Sequence, residues 1–290
     1  MKNTKLNPKK IFNGKLKPCI ICKKKKFENW AKLNTFQAKR CLNCGMISVN
    51  PTPEQRFLDH YYEGYLEENK KDRKLWEQRK ITYQIDKNWI SKFIDHGKVL
   101  DIGCSGGQFL SYFEPKRWKR FGVEVDEAAA NNAKKKFGIN TKVGNVTDLE
   151  FKEKFDLIIM RGVIEHFSNP VNVLKKCSSL LKKGGYLYIT ATPAGDSFAF
   201  DVYRDKWHLF TPPGHLHFFT VQLLTRIIKQ YGLELIDYHH QYTETPYANT
   251  LKDFMKIRND IILLNSNKKG KVKTSPPFPG SMITAVWRKK

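Results

Sequence analysis

At 290 residues, with 40 % apolar and 13 % aromatic residues, the chain can bury one full α/β core plus a small appendage, and its composition excludes a disordered polymer. Its net charge of +24 is concentrated at the two ends: residues 1–46 carry 13 Lys/Arg against the single acid Glu28, residues 268–290 carry seven basic residues and no acid, and only +5 is spread over 47–267. The longest apolar runs, such as Leu157-Ile158-Ile159-Met160, are far too short to span a bilayer, and the lysine-rich start lacks the apolar run of a secretory signal. A cytoplasmic protein whose six cysteines are thiols or metal ligands is expected.

In chain order, residues 1–18 read as a flexible basic tail, 19–50 as a cysteine-rich module, and Asn50-Pro51-Thr52-Pro53 as a rigid linker. Residues 51–96 read as a helical linker or lid, with Phe57, Leu58, Tyr61, Tyr62, Tyr65 and Leu66 on one helix face, then Leu75, Trp76, Ile85, Trp89, Ile90, Phe93 and Ile94 on a second. From 97 onwards, short apolar strands at 98–102, 120–125, about 141–143, 155–160 and 186–191 alternate with helical segments. That alternation predicts an α/β fold with a parallel sheet wrapped by helices. A Pro- and His-rich segment (192–220), a helix near 221–231 and a strand near 233–238 follow. The remainder is an insertion at about 240–280, with a helix at 250–264, and a last strand from Met282 to Trp287.

Cys19-x-x-Cys22 and Cys41-x-x-Cys44 are separated by 18 residues, the spacing of a four-cysteine zinc site. Each pair grips one edge of a tetrahedral ion, and four protein ligands close its coordination, which predicts a structural zinc ribbon. Gly45 suits the tight turn after the second pair, while Lys23 occupies the equivalent place after the first.

Val99-Leu100-Asp101-Ile102-Gly103-Cys104-Ser105-Gly106-Gly107 is a strand entering a glycine-rich turn, placed where open α/β sheets bind ligands. Phe121-Gly122-Val123-Glu124 puts a second acid at the end of the next strand, where a nucleoside-binding fold uses it to accept from ribose hydroxyls. Val143-Gly144-Asn145-Val146, Phe155-Asp156-Leu157-Ile158-Ile159 leading into Arg161-Gly162-Val163-Ile164-Glu165-His166, and Leu180-Leu181-Lys182-Lys183-Gly184-Gly185-Tyr186 follow in order. The series over about 95–240 resembles the class I S-adenosylmethionine (SAM)-dependent methyltransferases, in the branch that modifies small molecules and sugars. The resemblance implies a Rossmann-like domain whose cofactor contacts come from Asp101, Gly103, Cys104, Ser105, Gly106, Gly107, Glu124, Val125, Asn145, Val146 and Arg161. Asp101 would hold the cofactor's amino-acid end. Ser105 departs from the family's usual middle glycine, and Asn145 stands where Asp is usual, with an amide oxygen able to accept from the adenine amino group.

Methyl transfer from a sulfonium is an in-line displacement, so positioning matters most, and a histidine base serves a hydroxyl acceptor near neutral pH. Trp207-His208-Leu209-Phe210-Thr211-Pro212-Pro213-Gly214-His215-Leu216-His217-Phe218-Phe219-Thr220 resembles an acceptor-pocket segment of that branch. His215, His217 and His166 are the candidate catalytic residues. In an extended segment, His215 and His217 would face the same way. Tyr61, Tyr62 and Tyr65 fit either an aromatic lid over the acceptor or the buried face of a packed helix, and Cys104 and Cys177 fit ordinary core positions.

The function implied is SAM-dependent O-methylation of a small polar metabolite such as a sugar or glycan precursor. Two readings stand beside it: a zinc-ribbon RNA methyltransferase whose basic ends grip phosphates, and a zinc-ribbon and Rossmann binding module without catalysis. The basic ends also fit a solvated lysine-rich surface.

Overall fold

Aromatic and small residues alternate along the first strands, so one face packs and the other meets water. Strands β1 (Phe27–Leu33), β2 (Phe36–Cys41) and β3 (Ile47–Val49) form an antiparallel meander, with Phe36, Ala38, Ile47 and Val49 buried. The computed structural model describes residues 15–62, 72–266 and 269–290. Residues 1–14 of the expected tail, Tyr65 and Leu66 of the first expected helix face, and Lys268 of the basic C-terminal run lie outside the described residues.

Helices α1 (Gln55–Tyr62) and α2 (Arg73–Ile90) follow. On α2 the buried residues Thr82, Asp86, Trp89 and Ile90 recur at helical spacing, so this stripe docks the helix on the main sheet. Asp72 caps its start by accepting from the Leu75 N–H at 2.9 Å.

The main sheet is built from β4 (Gly97–Ile102), β5 (Trp118–Glu124), β6 (Asn140–Val143), β7 (Phe155–Arg161) and β8 (Leu181–Pro193), all running parallel. Val99, Leu100, Leu157, Ile158, Ile159 and Met160 are almost fully buried, as strands covered on both faces require. Helix α3 (Glu127–Phe137) presents Ala129, Ala130 and Ala133 to the sheet, small residues that permit close approach. Asp126 caps its start, and Gly138, at φ 63, ends it in the left-handed conformation. Helix α4 (Pro170–Leu180) runs directly into β8. The turn expected at Lys182–Gly185 is accommodated inside β8, where Phe155 pairs with Leu181 but Leu157 pairs with Tyr186.

Beyond β8 come α5 (Phe198–Tyr203), β9 (His217–Phe218), α6 (Val221–Lys229), β10 (Leu233–His239), α7 (Thr250–Leu264) and β11 (Met282–Lys289). Strand β11 inserts between β8 and β10, antiparallel to both, giving the order β10-β11-β8-β7-β4-β5-β6. Two-residue β9 does not join this sheet. It pairs with β3 through Ile47↔Phe218 and Ser48↔His217, so the cysteine-bearing meander is completed by a strand some 170 residues further on. The seam is apolar: Trp30 meets Phe200 edge-on at 5.9 Å, and Phe200 stacks on Trp207 at 4.3 Å. No helix among the described residues is long and apolar enough to cross a membrane.

Candidate active site and cysteine centre

The carboxyl ends of β4, β5, β7 and β8 open into a cleft of about 510 Å³, roofed by α1, α2 and the segment after β10. That volume is in the usual range for small-molecule sites. Asp101, Gly103, Cys104, Ser105, Glu124, Val125, Asn145, Val146 and Arg161 all line it. Gly106 and Gly107 do not. A Cβ at Gly107 would lie 2.6 Å from Ile139 Cδ1 and 2.8 Å from Ala133 Cβ, so this glycine serves the packing of α3 behind the loop.

Asp101 is 3 % exposed, and its Oδ1 has no hydrogen-bond partner among the described residues. Burial pushes its carboxyl up to about 8; the Arg161 guanidinium opposes that rise and the Glu124 charge adds to it. A buried, unpartnered acceptor of this kind fits an ammonium group, whose arrival would relieve the desolvation cost. The Glu124 carboxylate organises the loop itself. Its Oε2 accepts from Ser105 N–H at 2.8 Å, and its Oε1 accepts from Val125 and Asp126 N–H at 2.7 and 3.2 Å. Burial raises the Glu124 carboxyl above the ordinary range, against the pull of these N–H groups. Ser105 sits at φ 49, the left-handed region a glycine would occupy freely, and its bond to Glu124 holds it there.

Asn145 lines the cleft, but not as expected. Its Oδ1 accepts from both the N–H and the Oγ1 of Thr147, at 3.1 and 2.9 Å. The Thr147 N–H engages one lone pair of the amide oxygen, and the single Thr147 hydroxyl proton is divided between Asn145 Oδ1 and Asp148 Oδ1, each at 2.9 Å; the amide nitrogen is the group freest to face a ligand. Arg161 is likewise committed. Its Nε donates to Asp86 Oδ2 at 2.8 Å, its Nη2 donates to Thr82 Oγ1 at 2.7 Å, and its guanidinium lies 4.7 Å from the centre of the Tyr83 ring. Asp86 is fully buried, and its Oδ1 also accepts from Tyr188 (2.7 Å), Thr190 (3.0 Å) and Gln241 (2.8 Å). This network ties α2 to β7, β8 and the segment after β10.

Glu165, His166 and His215 line the same cleft and come together there. The His166 and His215 rings are 5.3 Å apart, and His166 Nε2 lies 3.5 Å from Glu165 Oε1. His215 Nδ1 is 2.6 Å from the Leu209 carbonyl oxygen, so that nitrogen carries the hydrogen and Nε2 keeps a lone pair. Burial and then the neighbouring His166 lower the His215 pKa, against Glu165 and the Leu209 bond. Glu165 is fully buried; burial alone would raise its carboxyl, but the His166 contact and then the charges of His166 and His215 bring it below the ordinary range. Tyr62 lines the cleft and stacks on His166 with ring centres 5.2 Å apart and planes 8° apart, while Tyr61 is 39 % exposed. Tyr65 lies outside the described residues.

His217 is not with its neighbour. The chain turns at 211–215 before entering β9, so His215 and His217 do not share a face. His217 is fully buried, and its Nδ1 meets Ser48 Oγ at 3.0 Å. Cys104 and Cys177 are both buried core thiols.

The two Cys-x-x-Cys turns face each other. Cys19 Sγ is 3.5 Å from Cys44 Sγ, Cys22 Sγ is 3.5 Å from Cys41 Sγ, and all four sulfurs lie within 4.8 Å of one another. For metal–sulfur bonds of about 2.3 Å, tetrahedral geometry separates the sulfurs by roughly 3.8 Å, so the set fits zinc. Lys23 and Gly45 both adopt left-handed φ, at 60 and 78, and the N–H of each donates to the first cysteine of its own turn. The two turns are conformational equivalents despite the lysine.

Sequence reasoning passed over Glu165 and Asp86. The signal for Glu165 was its adjacency to a candidate histidine; for Asp86 it was an acid in register with the apolar stripe of α2.

The sheet and its cleft define a Rossmann-like SAM-dependent methyltransferase. The chain belongs to the methyltransferase-domain family, whose family model matches residues 70–238. It is 27 % identical over 176 residues to an uncharacterized protein of Methanocaldococcus jannaschii, covering 60 % of this chain and 82 % of that one. It is 24 % identical over 190 residues to the ubiquinone biosynthesis O-methyltransferase of Acinetobacter baylyi, covering 57 % and 78 %. The magnesium protoporphyrin IX methyltransferase of Synechocystis, solved with bound SAH, shares the fold at a TM-score of 0.56 and 10 % identity, covering 82 % of this chain and 100 % of that one.

Proposed function

We propose that this methyltransferase O-methylates a small polar metabolite, with a sugar or glycan precursor as the leading class by analogy with the branch it resembles. The observation that supports this most is the division of one cleft between the unpartnered Asp101 carboxyl and the Glu165–His166–His215 group. Bound SAM supplies an electrophilic sulfonium methyl. Asp101 holds the ammonium of its amino-acid end, Glu124 faces the ribose from a carboxylate already fixed by three N–H groups, and Val125, Val146 and the Asn145 amide nitrogen border the base. Gly103, Cys104 and Ser105 give the backbone path. Arg161, neutralised by Asp86, keeps the floor rigid. With no ion at the Glu165–His166–His215 group, the Nε2 lone pair of His215 takes the acceptor's proton, and the aromatic walls exclude water. The acceptor is a small molecule rather than RNA, because the basic excess lies in the chain's ends and the cleft wall includes Tyr62, Phe167, Leu209 and Phe278.

We assign residues 19–50 to a zinc-binding unit docked on a methyltransferase domain of 97–290, with 51–96 as a helical lid. The free thiols fit a reducing, cytoplasmic compartment. Metal analysis should find a zinc held by the four cysteines of each chain. Cys41→Ser should release it and raise hydrogen exchange at Val49, whose N–H donates to the Leu216 carbonyl at 2.8 Å. Full-length protein with four freely titrating thiols and no metal would contradict the assignment.

Calorimetry tests the cofactor half. Asp101→Ala and Glu124→Ala should each weaken SAM binding by about 1.5–3 kcal/mol, the worth of a hydrogen bond to a charged group. The Asp101 carboxyl, pushed up to about 8 in the free protein, is mostly protonated at pH 7, whereas an ammonium partner favours its anion. Binding at pH 7 should therefore release close to one proton, read as a dependence of the heat on buffer ionisation enthalpy, and affinity should rise with pH until the free carboxyl ionises. Binding with no proton release, and affinity unchanged from wild type in both variants, would mean that the loop does not hold SAM this way.

A further inference from the structure

We propose that Glu165, His166 and His215 bind a divalent transition-metal cation in the cleft, through one carboxylate oxygen and two imidazole nitrogens. That this part of the cleft receives the acceptor rests on the methyltransferase reading above; the cation site stands on the three side chains. Their ligand atoms all lie within 4.8 Å of one another. Tetrahedral bonds of about 2.0–2.2 Å place donors roughly 3.3–3.6 Å apart, so side-chain rotations that close the widest pair by roughly an ångström complete the set.

Two further observations point to a ligand. Glu165 Oε1 and His166 Nε2 are both buried, and outside their mutual 3.5 Å contact neither has a hydrogen-bond partner among the described residues. Two buried polar atoms served by one long contact are better satisfied by a ligand that engages both. The outer contacts of the cluster are already made. Glu165 Oε2 accepts from Thr192 Oγ1 at 3.0 Å, and His215 Nδ1 donates to the Leu209 carbonyl at 2.6 Å, which turns the Nε2 lone pair outward. Metal-ligating histidines are commonly fixed by such a carbonyl. Tyr62 stacked on His166 fixes the second ring.

The donor set selects the ion. Two imidazoles and one carboxylate suit zinc, iron, cobalt or manganese better than magnesium or calcium, which take mainly oxygen. Three protein ligands leave at least one position open to the cleft, the arrangement of catalytic rather than structural sites. An acceptor that brings a hydroxyl oxygen, or two adjacent ones, would complete it. With the ion present, His215 Nε2 is a ligand and the ion takes over the acidification of that hydroxyl.

The test uses the full chain with its four-cysteine centre first filled with zinc, then titrated with Co²⁺ alone. One Co²⁺ per chain should bind with visible d–d bands and no thiolate charge-transfer band. Glu165→Gln and His215→Gln should each abolish that signal, while SAM affinity, measured in the same preparations, stays within about twofold. Retained SAM binding also shows that the variants are folded. Wild-type protein that binds SAM but no second ion at millimolar Co²⁺ would overturn the cation site and leave the methyltransferase reading standing. Wild-type protein that binds Co²⁺ but not SAM would uphold the site and strike at that reading. Unaltered Co²⁺ bands in both variants would place the ion elsewhere and overturn the proposal.

Discussion

Replacing His215 with alanine should slow methyl transfer by roughly 10²–10⁴-fold, the usual worth of a positioned acid–base group, with SAM affinity nearly unchanged. The asymmetry follows from the grouping of the side chains: His215 clusters with Glu165 and His166, whereas Asp101 and Glu124 end β4 and β5 beside the glycine-rich loop. Because burial and His166 hold the His215 pKa below the usual histidine range, its lone pair is available across neutral pH. The rate should fall only when acid protonates it, so the acidic limb of kcat/KM should lie below the ordinary histidine value. Single-turnover rates with saturating SAM decide this. An unchanged rate, or a loss confined to SAM affinity, would leave His215 a structural residue.

The second large effect is on stability. Asp86→Ala should cost about 3–5 kcal/mol, the range for breaking a buried ion pair by removing one partner. The carboxylate serves Arg161, Tyr188, Thr190 and Gln241 at once. Removing it strands a guanidinium whose side chain is only 18 % exposed. The freed Arg161 charge also turns to Asp101, lowering that carboxyl and competing with the cofactor's ammonium, so SAM affinity should fall as well. Urea unfolding measures the first effect and calorimetry the second. The double variant Asp86→Ala/Arg161→Met should recover much of the lost stability, since no buried charge is then left alone. A single variant within about 1 kcal/mol of wild type would show that the network does not secure α2 to the sheet.

Both predictions depend on side chains that the sequence revealed unevenly. The strand into Asp101, the acid at Glu124 and the two cysteine turns were legible because each is a local pattern: an apolar run, a glycine turn, a fixed spacing. Strand β9 was not legible. Two residues carry no periodicity, and its partner β3 lies some 170 residues earlier. His217 was therefore placed beside His215, although the turn at 211–215 sends it to Ser48. Asn145 shows another limit: its position in the cleft was readable, but the capture of its amide oxygen by Thr147, two residues on, was not anticipated. Asp86 drew no expectation, because its importance lies in burial and in four partners contributed by β7, β8 and the segment after β10.

Methyl transfer from SAM to a small polar acceptor can be read by incubating the purified, zinc-loaded protein with methyl-labelled SAM and cell extract separated into small-molecule, RNA and protein fractions. Label should enter the small-molecule fraction, dependent on Asp101 and His215. Label confined to RNA, or SAM that binds without labelling any fraction, would contradict that transfer.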